Sequence, residues 1–88
     1  MEFRLSSPCR GSNTFDAIPL KDVMLTRESM EQILRNAGLE VKLASDVLVL
    51  GKKGGVEVGI YRRGKLIIKN VKGRQAAEKI ASQIFSRI

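Results

Sequence analysis

The chain has 88 residues, with 16 Lys and Arg against nine Asp and Glu, a formal net charge of +7 and no histidine. At 43% hydrophobic and 28% charged residues it reads as a single globular domain, 1–88, too apolar for a disordered chain and too short for two independent cores. One cysteine, Cys9, excludes an internal disulfide and fits a reducing, cytoplasmic setting; no apolar run approaches the ~20 residues of a membrane span, so no membrane partner is expected.

In chain order, Glu2 to Ser6 alternates Phe3 and Leu5 against polar neighbours, the period of a half-buried strand that stops before Pro8. The segment from 7 to 20, PCRGSNTFDAIP at its centre, is rich in turn formers and bracketed by Pro8 and Pro19. It is expected to be a mobile loop, with Phe15, Ala17 and Ile18 tucking part of it against the core. A helix follows from about Arg27 to Ala37. Thr26 is placed to accept an orphan backbone N–H at its start, and Met30, Ile33, Leu34 and Ala37 form one apolar stripe. Gly38 is suited to end that helix in the left-handed conformation.

LEVKLA, DVLVLGKK, GVEVGIY and KLIIKNV come next, rich in β-branched residues at period two. Ser45-Asp46 is either a turn or a bend within one longer strand. Gly54-Gly55 and the Arg62-Arg63-Gly64 turn supply the positive φ that tight hairpins need, so the strands are expected to pair antiparallel. The final stretch, GRQAAEKIASQIFSRI, has the clearest helical period of the chain. Ala76, Ala77, Ile80, Ala81, Ile84, Phe85 and Ile88 share a face opposite Arg74, Glu78, Lys79, Ser82, Gln83 and Arg87. The expected fold class is α+β: a curved antiparallel sheet of four to five strands, in the order β-α-β-β-β(-β)-α, with two helices packed on one face. The other face is left without a cover.

Charge is unevenly spread. Residues 51–88 carry +8 and residues 1–50 carry −1, which points to a polyanionic partner, DNA or RNA, recognised by the hairpin and final helix. No catalytic motif is present and no enzyme activity is expected. Cys9 has no histidine to act as its base and a lone ligand makes no metal site, so no catalytic residue, metal or cofactor is assigned. GKKGG lacks the spacing of a phosphate-binding loop and reads as a hairpin turn.

The run VGIYRRGKLIIKNVKGRQAAEKIASQIFSRI resembles the second half of one repeat of the TATA-box-binding protein, mainly over residues 58–88. There too a strand ending in an aromatic residue leads through a Gly-Lys turn to a strand and a long helix. The resemblance implies one such repeat, with a homodimer as the way to rebuild a two-repeat saddle. It places Tyr61 where the family has an aromatic wedge, and Ile67 and Lys69 where sheet residues face DNA. Lys69 stands where the family has a threonine, and no aromatic stands near Leu43 or Ala44, the place of the second wedge. The function expected is therefore general nucleic-acid binding without a TATA-type kink. Arg62, Arg63, Lys65, Lys69, Lys72 and Arg74 would follow phosphates while Tyr61 stacks on a base or wedges at a step, with Ile67 on the sheet surface that faces the nucleic acid. The alternative is a protein-interaction module or small subunit that docks its open sheet face onto a partner protein. Contiguous apolar exposure on that face would favour a protein or self-association, and a rim of Lys and Arg would favour nucleic acid.

Overall fold

The computed structural model describes residues 2–6 and 13–88. Its elements are β1 (Phe3–Ser6), β2 (Phe15–Pro19), α1 (Arg27–Asn36), β3 (Glu40–Ala44), β4 (Leu48–Lys53), β5 (Val56–Tyr61), β6 (Leu66–Lys69) and α2 (Arg74–Phe85). All six strands form one antiparallel sheet in the order β1-β2-β6-β5-β4-β3. The α+β class, the antiparallel sheet and the two helices match the sequence reading; the strand count does not.

The additional strand is β2, which lies in the segment expected to be a loop. Phe15 and Ala17 point into the core while Asp16 and Ile18 point away, and the strand is paired on both sides, to β1 and to β6. Pro19 is tolerated because the ladder to β6 runs only from Phe15 to Ala17, so the missing N–H falls beyond it. The part of that loop reading that covers 7–12, Cys9 included, lies outside the described residues.

Helix α1 begins as its sequence implies. Thr26 Oγ1 accepts the Ser29 backbone N–H at 3.1 Å, and Glu28 stands in the first turn, where the helix dipole favours an anion. At its other end Gly38 takes φ 89° and the Leu39 N–H donates to the Leu34 carbonyl at 2.9 Å, closing the helix. Met30, Ile33 and Leu34 are the buried stripe. In α2 the corresponding residues are Ala77, Ala81, Ile84 and Phe85, with the Phe85 ring 5.0 Å from that of Phe3. Two successive positive-φ glycines, Gly54 and Gly55, turn β4 into β5.

The apolar residues of both helices join one cluster with Val49, Val58, Ile60, Leu66 and Ile68, so both helices cover the same face of the sheet. No polar or charged side chain is buried among the described residues. Among the described residues, no helix or strand lies over the opposite face.

A candidate interaction face

Alternation along each strand decides which side chains reach the open face. Val49, Val58, Ile60, Leu66 and Ile68 point inward and are fully buried. Their neighbours Leu48, Leu50 and Lys52 of β4, Glu57, Gly59 and Tyr61 of β5, and Ile67 and Lys69 of β6 therefore point outward. Strand β3 joins them through a β-bulge between Val41 and Leu43. Val41 packs against the core, but Lys42 is the extra residue and Leu43 pairs with Leu50, which turns Leu43 to the open side.

The register arranges these residues in cross-strand rows. One is apolar: Leu43, Leu50, Gly59 and Ile67 lie side by side, followed by Asp16 on β2. Leu43 is 53% exposed, Leu50 36%, and Ile18 nearby on β2 is 41%. Gly59 makes room for this row. A Cβ there would stand 2.8 Å from Leu50 Cδ2 and 3.3 Å from Leu48 Cδ1, so both leucines lie across the backbone of β5. The hollow between Leu48, Leu50, Tyr61, Ile67 and Lys69 is shallow, about 180 Å³. A second row, one pair further along the strands, alternates in charge: Glu40, Lys52, Glu57, Lys69. A third sets Leu48 beside Tyr61.

The sequence-derived site residues are partly gathered by this geometry. Tyr61, Lys65, Ile67 and Lys69 share the open face. Lys65 Nζ lies 3.6 Å from Asp16 Oδ2 and 5.8 Å from the centre of the Tyr61 ring, so this cation is shared between a carboxylate and an aromatic face. Arg62 and Arg63 are exposed at the β5–β6 turn, at one end of the sheet. The Arg62 backbone is held there, its N–H donating to Val47 O and its carbonyl accepting from Leu25 N, each at 2.8 Å. Lys72 lies past the opposite end of β6. Arg74 is on the helix side, where its guanidinium donates to the Leu5 carbonyl at 3.2 Å, and it does not reach the open face. The eight residues therefore do not form one strip.

Sequence reasoning overlooked the outward residues of β4, and named the Leu43 position only as the place of a missing second wedge. The signal was present in LVLGK, where Leu48 and Leu50 occupy the positions that alternation assigns to the solvent side. A second concavity, about 340 Å³, lies between the helices over β4 and β5, lined by Leu39, Val56, Val58, Ile80 and Ile84 with Lys53 beside them. Among the described residues no group of three or more His, Cys, Asp or Glu could hold a metal ion, and no helix is long and apolar enough to cross a membrane. No protein-family model, curated protein or solved structure matches the chain.

Proposed function

We propose that the chain is a non-enzymatic binding module that docks a protein surface on its open sheet face. The observation that carries this reading is the row Leu43–Leu50–Gly59–Ile67, a contiguous apolar strip with Leu48 and Tyr61 beside it, on a face that no element of the described residues covers. Apolar side chains in water contribute roughly 25 cal/mol for each Å² they later bury, so such a strip is a source of affinity that solvated surface is not. The charges around it support the same reading. Glu40, Glu57 and Asp16 are interspersed with Lys42, Lys52, Lys65 and Lys69, and Lys42 Nζ is 3.0 Å from Glu40 Oε1. A polyphosphate backbone laid along that row would meet a carboxylate at every second position.

The test is a photo-cross-linking residue at position 50, irradiated in cells that make the protein, with the same residue at exposed position 35 on α1 as the control. A protein adduct at 50 and none at 35 is the expected result. No adduct from either position would end the docking reading.

A second reading, nucleic-acid binding, has its own observation. Tyr61 is on the open face beside the exposed Arg62 and Arg63, with Lys65 over its ring. The chain order from Phe15 to Phe85, strand, helix, four strands, helix, supports the likeness to a TATA-box-binding-protein repeat from which that reading came. Titration of labelled double-stranded DNA, single-stranded DNA and RNA at two salt concentrations separates the two. Phosphate contacts by Arg62, Arg63 and Lys65 would give log K a slope against log salt of about −2 to −3. Binding that is absent at low salt, or flat with salt, removes this reading.

A further inference from the structure

We propose that the partner of the open face is a second copy of this chain, packed sheet to sheet about a two-fold axis that runs along the strands between β4 and β5. This rests on the reading of that face as a protein-docking surface and names its occupant.

The cross-strand rows of the open face match their own reverse. A half-turn about such an axis keeps height along the strands and reverses their order, so β4 of one copy lies over β5 of the other, and β3 over β6. Each row then faces its own reverse. The charged row reads minus, plus, minus, plus from Glu40 through Lys52 and Glu57 to Lys69. Reversed, it is complementary at every position: Glu40 faces Lys69 of the other copy, and Lys52 faces Glu57. An alternating row of even length, centred on the axis, is the arrangement in which self-pairing gives only unlike charges.

The apolar rows obey the same operation. Leu43 faces Ile67 of the other copy, and Leu50 faces Gly59, over which that copy's own Leu48 and Leu50 lie, so apolar side chains meet apolar side chains across the axis. Leu48 faces Tyr61. The strand axes of the two sheets are aligned, with facing strands such as β4 and the other copy's β5 antiparallel; this is the aligned class of sheet packing, in which twist rotates one sheet by about 30°. The twist carries the outer rows somewhat out of line, so the central facings, Lys52 with Glu57 and Leu50 with Gly59, matter most. Strands β1 and β2 fall outside the overlap, which leaves Arg4, Asp16 and Ile18 uncovered. An unrelated protein would not require the face to match its own reverse; a second copy does. The overlap spans four short strands of a molecule 33 × 28 × 19 Å in extent. That is at or below the ~800 Å² per partner of standard interfaces, which implies a dimer that dissociates in the micromolar range.

The experiment is sedimentation velocity on the full chain from about 1 to 300 µM, on wild type, Lys52→Glu, Glu57→Lys and an equimolar mixture of the two variants. Wild type is expected to dimerise as concentration rises. Each variant alone sets like charges against each other twice, once in each half of the interface, and its dissociation constant should rise at least about tenfold. In the mixture both facings become unlike again, and a heterodimer should form at close to wild-type concentrations. Within either chain, 52 and 57 remain like-charged cross-strand neighbours whether mixed or not, so recovery on mixing reports contact between copies alone. Circular dichroism of each variant checks that the fold is kept. Wild type that stays monomeric, or dimerises without recovery in the mixture, overturns the proposal. Monomeric wild type that still cross-links another protein through position 50 overturns self-pairing but leaves the docking reading standing. The absence of any adduct removes both.

Discussion

The two faces of this sheet are made from alternate residues of the same strands, yet they follow different rules. On the covered face Val49, Val58, Ile60, Leu66 and Ile68 are fully buried under α1 and α2, and no polar or charged side chain is buried with them. On the open face Leu48, Leu50 and Ile67 are of the same residue types, but they sit among Lys52, Glu57 and Lys69 and retain contact with water. The first face holds the chain together; the second leaves its aliphatic side chains in contact with water. Charge makes the distinction: a core that admitted Lys52 or Glu57 would have to desolvate it, whereas an interface can pair it with an opposite charge on the partner. Residue type alone would not have separated the two aliphatic sets.

The comparison is broken most sharply by truncating an isoleucine on each side. Ile60→Ala removes a fully buried side chain from beneath the helices and is expected to cost about 2–5 kcal/mol, part of it from the cavity left behind. Ile67→Ala, one strand away on the open face, is expected to cost no more than about 1 kcal/mol in dilute protein. Urea denaturation of both variants near 1 µM checks the difference. Repeated at 100 µM, the Ile67 cost should grow, because anything that binds only the folded chain adds to its stability. Equal costs for the two variants at 1 µM would mean that the open face is already packed within the monomer.

Much of this division was legible in the sequence. The stripe Met30, Ile33, Leu34, the Thr26 cap and the Gly54-Gly55 turn each produce the local structure that their chemistry implies. The family resemblance set Tyr61, Ile67 and Lys69 on one side of the sheet, and alternation along β5 and β6 brings them to the same face. Two features were not legible. Strand β2 has only five residues, ends in proline and follows a run of turn formers, so local signals read as loop; its pairing with β1 and β6, distant in sequence, overrides them. The bulge at Lys42 breaks period two, so Leu39, Val41 and Leu43 look like one face in the sequence while Leu43 is turned to the other. Arg74 differs again. Helical periodicity correctly set it on the polar side of α2, but only the tertiary fold brings it to the Leu5 carbonyl and away from the open face.

Glycine at position 59 sharpens the comparison from within the open face. It has no positive φ to require glycine, so its role lies in the space that Leu50 and Leu48 occupy. In Gly59→Ala the new Cβ would meet Leu50 Cδ2 at 2.8 Å, and the flexible end of that side chain must move. The strain of that movement is opposed by the lower backbone entropy of the unfolded alanine chain and its better fit to a strand. The net change in stability is expected to stay within about 1 kcal/mol. A shift of the Leu50 methyl resonances should accompany it, and dimerisation should weaken, since Leu50 is displaced on the face that meets the other copy. A cost above about 2 kcal/mol would place Leu50 and Gly59 in the packed interior energetically, against the division drawn here.

The smallest effect expected is at Lys65 and Asp16, an ion pair joining β2 to the β5–β6 hairpin on the open face. Its separation of 3.6 Å is long for a hydrogen bond, and the lysine side chain is 43% exposed, so solvent screens much of the attraction. A double-mutant cycle of Lys65→Ala and Asp16→Ala should give a coupling of no more than about 0.5 kcal/mol, falling as salt is raised. Asp16 lies on β2, outside the strands that the two copies would overlap, so that coupling should not depend on protein concentration. The cost of Ile67→Ala, measured on the neighbouring strand, should. Two residues paired across the same ladder, Asp16 and Ile67, would then respond differently to the same dilution, which locates the edge of the self-association surface between β2 and β6.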